Sequence, residues 1–365
     1  MNIAIIGTRG IPNFYGGFEQ FAEYLSEGLV QKGHSVTVYN SHTHPYQEKS
    51  WKGVNIVHCN DPEDKIGTAG QFIYDLNCIL DTRKKKFDII LQLGYTSSSI
   101  WGKLLPRKKS LVVTNMDGLE WKRTKYSKKV QKFLLYAEKL GVKHSDHLIS
   151  DSIGIQNYIK EKYKSESTFI PYGANLFKKP DCSVLDEFKV NEYEYNMLIA
   201  RLEPENNIET ILDGVVKSKA EYPFLVIGKH ETKFGEYLKT KYQKNLNILF
   251  LGGIYDLDKL NNLRYYSNIY FHGHTVGGTN PSLLEAMASS SLICAHDNIF
   301  NHSIIGDDGL YFENSDDISI VLSTISKQNY NKQIKANLEK IENTYSWEMI
   351  NKQYLDLFEN CIKQK

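Results

Sequence analysis

Apolar and polar positions along the chain fall into two alternating regimes. Short apolar runs bounded by Gly, Pro or polar residues read as buried strands. Longer stretches with apolar residues three and four apart read as helices. Asn2 to Gly7 predicts a buried strand ending in glycine, Thr8 to Gly17 a loop, and Phe18 to Lys32 a helix with Phe18, Phe21, Ala22, Leu25 and Leu29 on one side. His34–Tyr39, Phe87–Leu91, Ser110–Thr114 and His147–Ser150 predict further strands, the last followed by a helix from about Asp151 to Lys162. Phe169 to Asn175 carries Pro and Gly and reads as a linker. The pattern then starts again. Strands are predicted at Tyr195–Ala200, Phe224–Gly228, Asn247–Leu251, Ile269–His272 and Leu292–Ala295, with helices at Asn207–Lys219, Asp256–Ser267 and Asn280–Ser289. A last helix, Ser346 to Cys361, gathers Trp347, Ile350, Tyr354, Leu357 and Phe358 on one side. Strands alternating with helices, twice over, predict an α/β fold of two Rossmann-like domains around a central cleft. Ligands of such sheets bind at the carboxyl ends of the strands.

Composition narrows the class. The chain has 365 residues, 41% hydrophobic and 24% charged. That excludes disorder, collagen and coiled coil. No apolar run approaches the roughly 20 residues of a membrane span. The stretch Ile3 to Gly7 is too short for a signal peptide and has no basic region before it. Five cysteines lie scattered without a CxxC pair, which fits a reducing cytoplasm rather than a disulfide framework or zinc site. The net charge of +1 conceals an asymmetry. Residues 1–175 hold 24 Lys+Arg against 17 Asp+Glu, net +7, and the remainder is net −6. The positive residues cluster at Arg83 to Lys86, Arg107 to Lys109 and Lys122 to Lys132. Solvated loops and helix faces are one reading. Attraction to an anionic membrane surface, at about 1 kcal/mol per well-placed cation, is the other. No nucleic-acid recognition motif accompanies the charge.

Four segments carry candidate chemistry, each just past a predicted strand. In Gly7 to Glu19, paired Gly16 and Gly17 let backbone amides approach an anion at a helix start. The segment is neither G-x-G-x-x-G nor a Walker A sequence, which disfavours plain NAD or ATP binding; the competing reading is a tight turn. Asn115 to Arg123 places Asp117 and Glu120 where they can accept hydrogen bonds from sugar hydroxyls or act as a base, and Trp121 where it can stack on a sugar. A surface loop with local ion pairs is the alternative. In Ala200 to Asn207, Arg201 can grip a diphosphate, or pair with Glu203 or Glu205. In His272 to Glu285, the amides of Gly277, Gly278 and Thr279 precede a helix and can cradle phosphate. Glu285, among Ala286, Met287 and Ala288, needs a partner such as a ribose diol, or is a buried structural carboxylate. His272 and His274, like His42 and His44, lack a carboxylate at metal-ligand spacing. No Ser-His-Asp arrangement can be argued.

The segments "GTRGIPNFYGGFE", "MDGLEWKR", "ARLEPENN" and "GGTNPSLLEAMA" bring a resemblance that spans almost the whole chain. It resembles the retaining nucleotide-sugar glycosyltransferases of family four, with the GT-B fold, and within them the subgroup of capsule, O-antigen and cell-wall rhamnosyltransferases. The resemblance implies an acceptor-side domain at 1–172, a nucleotide-sugar domain at 173–344, and a helix at 345–365 packing back on the first. It implies catalytic roles for Asp117 and Arg201. Donor contacts would come from Gly16, Gly17, Arg201, Asn206, His274, Gly277, Gly278, Thr279, Asn280 and Glu285. Acceptor contacts would come from Tyr15, Glu19, Glu120, Trp121 and Arg123. Two departures stand out. The usual lysine partner of the diphosphate-binding arginine falls at Asn206, and the first glutamate of the usual E-x7-E pair falls at Gly277. The implied reaction is metal-independent sugar transfer, with dTDP-L-rhamnose as leading donor and no bound cofactor. The implied acceptor is a polyprenyl-diphosphate-linked sugar or an oligosaccharide at the inner membrane face. A UDP-hexose or UDP-N-acetylhexosamine donor is the first alternative, then a GT-B-fold UDP-sugar epimerase, then a non-catalytic nucleotide-sugar-binding partner.

Overall fold

The continuous apolar runs become the middle strands of two parallel sheets, where both faces are covered and no alternation is needed. The computed structural model describes every residue except Tyr15, Thr124, Lys125, Val276, Gly277 and Lys365. It divides into two units, Met1–Gly173 with Trp347–Lys365, and Ala174–Ser346.

The first unit holds β1 (Asn2–Ile6), β2 (Ser35–Ser41), β3 (Ser50–Trp51), β4 (Val54–Cys59), β5 (Ile89–Leu93), β6 (Leu111–Asn115), β7 (His147–Ser150) and β8 (Thr168–Phe169). Their order is β3-β4-β2-β1-β5-β6-β7-β8, and β3 alone runs antiparallel to its neighbour. Its helices are α1 (Gly17–Gln31), α2 (Glu63–Ile66), α3 (Gly70–Thr82), α4 (Lys128–His144) and α5 (Ile153–Tyr163). The core under the sheet includes Ala4, Ile6, Tyr39, Cys78, Ile79, Ile90 and Val112.

The second unit holds β9 (Asn196–Ile199), β10 (Phe224–Ile227), β11 (Ile248–Gly252), β12 (Ile269–His272), β13 (Ile293–His296) and β14 (Leu310–Phe312), in the order β11-β10-β9-β12-β13-β14. Its helices are α6 (Leu185–Phe188), α7 (Ile208–Ser218), α8 (Lys233–Tyr242), α9 (Leu257–Tyr266), α10 (Pro281–Ala288), α11 (Ile299–Ile305), α12 (Ser315–Thr324) and α13 (Asn331–Lys340). Leu198, Leu212, Val226, Phe271 and Phe312 anchor its core.

The chain then returns to the first unit as α14 (Trp347–Lys363). Trp347 stacks on Tyr24 of α1 at 4.6 Å, and the Tyr354 ring lies 5.2 Å from Phe21. The Tyr354 hydroxyl accepts from the Asn115 amide at 3.2 Å, tying α14 to the carboxyl end of β6. Such aromatic pairs add about 0.5–1.5 kcal/mol each beyond the area they bury. Each sheet reverses its strand order beside its first strand: between β1 and β5, and between β9 and β12. Loops leaving such a pair diverge and open a crevice at their carboxyl ends.

Candidate functional site

At the β9/β12 reversal, two loops carry predicted site residues. Arg201 is exposed, and among the described residues it pairs with neither Glu203 nor Glu205. The loop around it is held firmly. Thr275 donates its backbone N–H (3.2 Å) and its hydroxyl (2.8 Å) to the Glu205 carbonyl. Asn207 donates its side-chain amide to the Gly273 carbonyl at 2.9 Å. Gly273 must lack a side chain, since a Cβ there would sit 2.0 Å from the Asn206 carbonyl oxygen. Asn206 is buried and donates its amide to the Arg201 carbonyl at 2.7 Å. Its side chain braces the turn that presents Arg201.

On the β12 side, Tyr270, His272 and His274 alternate onto one face. The Tyr270 hydroxyl lies 2.6 Å from the Ser282 hydroxyl in the first turn of α10, so this face looks toward that helix. His272 is buried and stacks on His274 with ring centroids 4.4 Å apart. Burial, followed by the nearby His274 and Arg264, holds the His272 imidazole well below its ordinary pKa and therefore neutral. Asn280 is the N-cap of α10: its side-chain oxygen accepts the Ser282 amide at 3.0 Å, and Pro281 follows at the first helical position. Thr279 is buried and Gly278 half-buried, while Gly277 lies outside the described residues.

Glu285 sits one turn into α10. Its carboxylate lies 2.5 Å from Nη2 of Arg264 on α9; the two side chains are 16% and 1% exposed, respectively. A partner that Glu285 requires is therefore within the protein, while its side chain stays partly exposed. Arg264 carried no motif. Its only signal is spacing, since it follows Leu263 and lies one turn after Leu260 on the buried side of α9.

The β1/β5 reversal of the first unit looks different. Gly7 turns the chain at a φ of +87°, and a Cβ there would lie 2.3 Å from the Leu93 carbonyl oxygen. Glu19 is buried, and one carboxylate oxygen accepts the Arg9 amide (2.7 Å) and the Thr8 hydroxyl (3.1 Å). Asn40 grips Ile11 at both its N–H and its carbonyl (3.1 and 2.8 Å). His44 lies 3.1 Å from both the Pro12 carbonyl and the Tyr46 amide. Glu19 is thus a brace inside the loop. Gly16 is the N-cap of α1 with no side-chain cap bond, and Gly17 is the exposed first residue of the helix. Tyr15 lies outside the described residues.

Past β6, Asp117 is half-buried with a left-handed backbone, φ +50°, and its N–H donates to the Asn115 side chain at 3.0 Å. Glu120 and Arg123 pair with each other at 2.6 Å. The Trp121 indole donates to the Tyr158 hydroxyl at 3.1 Å. Tyr158 in turn donates to the buried Glu138 carboxylate (2.8 Å), which also takes Lys162 (2.8 Å) and Tyr163 (2.5 Å). Glu120 and Arg123 thus form a local ion pair, and Trp121 is tied to α5. Glu138 had a readable signal, a carboxylate beside Leu134, Ala137 and Gly141 on the buried side of α4. Among the described residues, no three His, Cys, Asp or Glu side chains gather as a metal site.

Residues 186–342, which contain the Arg201 loop, β12, α9 and α10, match the model of the Glycosyl transferases group 1 family. That segment is similar to a group 1 glycosyltransferase domain. The fold of the chain is GT-B. Residues 1–175 match a domain of unknown function, DUF1972. A sucrose-phosphate synthase from Thermosynechococcus elongatus superposes over 100% of both chains with a TM-score of 0.79 at 17% identity. The Anabaena protein HepE, solved in complex with UDP and glucose, covers 98% of this chain and 99% of its own, with a TM-score of 0.76 at 13% identity. Among curated proteins, an uncharacterized 42.6 kDa protein in the cps region of Klebsiella pneumoniae is 26% identical over 194 residues, 45% of this chain and 51% of the relative. The chain thus spans about half the length of that relative. Within that segment, Arg201 lies exposed just past β9, and the Arg264-held Glu285 lies in α10.

Proposed function

We propose that this glycosyltransferase moves a hexose from a nucleoside diphosphate sugar to a hydroxyl acceptor in surface polysaccharide synthesis, with retained anomeric configuration. The single observation that carries the reading is Arg201, an exposed and unpaired guanidinium among the described residues, standing at the strand-order reversal of the segment similar to a group 1 domain. A guanidinium there binds a diphosphate bidentately and stabilises the charge that grows on it as the sugar leaves. The bond from the anomeric carbon to the phosphate oxygen breaks, and a bond to the acceptor oxygen forms on the same face. The acceptor proton passes to the departing phosphate. Arg201 and Asp117 stabilise developing charge, and no metal takes part. Glu285 holds the pentose of the donor nucleotide, through the 3′-hydroxyl that dTDP and UDP share.

The leading donor is dTDP-L-rhamnose, from the subgroup resemblance. HepE binds UDP-glucose, which keeps a UDP-hexose in view. A relative in a cps region supports polysaccharide synthesis. The acceptor side is basic, and α4 leaves Val130, Phe133 and Tyr136 exposed among Lys128, Lys129 and Lys132. A lipid-linked acceptor at an anionic membrane surface suits that composition. No helix among the described residues is long and apolar enough to cross a membrane.

The test supplies dTDP-L-rhamnose, UDP-glucose, UDP-galactose and UDP-N-acetylglucosamine with a polyprenyl-diphosphate-linked sugar, and follows labelled sugar into the lipid fraction. Transfer from one donor, with the anomer retained by NMR, is expected. Asp117→Asn, which tolerates the left-handed backbone, should cut turnover about 10²-fold and leave donor KM unchanged. Conversion of a UDP-sugar without acceptor would establish the epimerase instead. Donor binding without either product would establish the non-catalytic partner.

A further inference from the structure

We propose that Arg264 is a positioning residue: from inside the core it fixes the Glu285 carboxylate in the orientation that reads the pentose 3′-hydroxyl of the donor nucleotide, with the 2′-hydroxyl where the donor is a ribonucleotide. The inference rests on the reading of Glu285 as a pentose contact. Arg264 is 1% exposed and is the largest fully buried side chain. A buried guanidinium is costly unless its charge and donors are met. Its partner, however, is no buried carboxylate; Glu285 keeps 16% of its side chain open. The cation of the pair is fully buried while the side chain of its anion stays partly exposed, which suits a held ligand contact better than a core strut.

A second anchor fixes the cation itself. Nη1 of Arg264 donates to the Asn261 side-chain oxygen at 2.9 Å, and the same oxygen accepts the Ser289 hydroxyl at 3.2 Å. Asn261 and Arg264 lie one turn apart on α9, and Glu285 and Ser289 one turn apart at the end of α10. The two rungs cross the seam between the helices. A planar guanidinium held at one nitrogen can offer the other in only one direction, and the carboxylate follows. Lysine, a point charge on a flexible stem, cannot reproduce this.

The test titrates UDP and dTDP, each against its 2′,3′-dideoxy counterpart, into full-length wild type, Arg264→Lys and Glu285→Gln by calorimetry. The wild type should favour the hydroxyl-bearing ligand of the better-binding base by about tenfold, the scale of a hydrogen bond to a charged group. Arg264→Lys and Glu285→Gln should each erase that preference and leave the dideoxy ligand's affinity within about twofold of wild type. A structural role would instead weaken both ligands alike. That result, or full discrimination by Arg264→Lys, overturns the proposal while a loss in Glu285→Gln preserves the pentose reading. If Arg264→Lys does not fold, Asn261→Ala removes the second anchor alone. It should reduce the preference by about threefold, and an unchanged preference overturns the proposal. A wild type that binds neither nucleotide overturns both readings together.

Discussion

The strand-end loops of the two units teach by contrast. In the first unit the polar side chains at the β1/β5 reversal and past β6 are committed to one another: Glu19 to Thr8 and Arg9, Glu120 to Arg123, Trp121 to Tyr158. In the second unit the loops are braced equally well, but by backbone carbonyls and neutral amides. That leaves Arg201 unpaired among the described residues and Glu285 held yet partly exposed. Rigid support with presented charge suits grip on a charged donor. Rigid support with satisfied charge suits shape.

The contrast breaks first at Glu19. Glu19→Ala would leave the Arg9 amide and Thr8 hydroxyl buried without their acceptor. It should cost about 3 kcal/mol of stability, read from urea unfolding. An unchanged midpoint would show that Glu19 does not brace the loop. Arg201→Ala should behave oppositely, with stability within about 0.5 kcal/mol of wild type and turnover lower by about 10²–10³-fold. If it unfolds the protein and spares transfer, the two regions do not differ as described.

A smaller effect shows that the contrast concerns strand ends and not whole units. Lys327, in the second unit, is buried; it donates to the Tyr265 carbonyl, and its amine lies 5.3 Å from the Tyr193 ring centroid. Burial pushes the amine down to about 7. In the unfolded chain it titrates near its ordinary value of about 10.4. Between these values the unfolded chain binds the proton that the folded one lacks, so stability from this group rises with pH through that window and is flat below it. Lys327→Met removes this slope. Its stability advantage over wild type should narrow from pH 7 to pH 9, and a constant difference in urea midpoints would show that the amine stays charged when buried.

The parallel core strands were legible because both faces of each are buried, which leaves unbroken apolar runs such as Ile3 to Ile6 and Phe224 to Ile227. The half-covered β4, with Asn55 exposed, gave no such run. The long α4 carries Lys128, Lys129, Lys132, Lys139 and Lys143, which hide a narrow buried stripe of Leu134, Ala137 and Gly141. In the candidate site, the placement of Arg201 past β9 and of Glu285 in α10 was legible from the strand and helix patterns around them. Whether a loop carboxylate is free or committed could not be read, because its partner is distant in sequence. Trp121 meets Tyr158 across 37 residues, and Glu285 meets Arg264 across 21. Asn206 shows the same blindness at short range: an amide that could face a donor instead turns back on the Arg201 carbonyl.

The central claim is that the braced edge of the segment similar to a group 1 domain binds a nucleoside diphosphate through Arg201 and Glu285. Thermal unfolding of the wild type with dTDP, UDP, GDP and their sugar conjugates tests it most directly. A ligand at about 100 times its Kd stabilises by about 2.7 kcal/mol, so one base should raise Tm by several degrees, and Arg201→Ala should lose most of that rise. No shift with any nucleotide, or a shift that Arg201→Ala keeps in full, would contradict it.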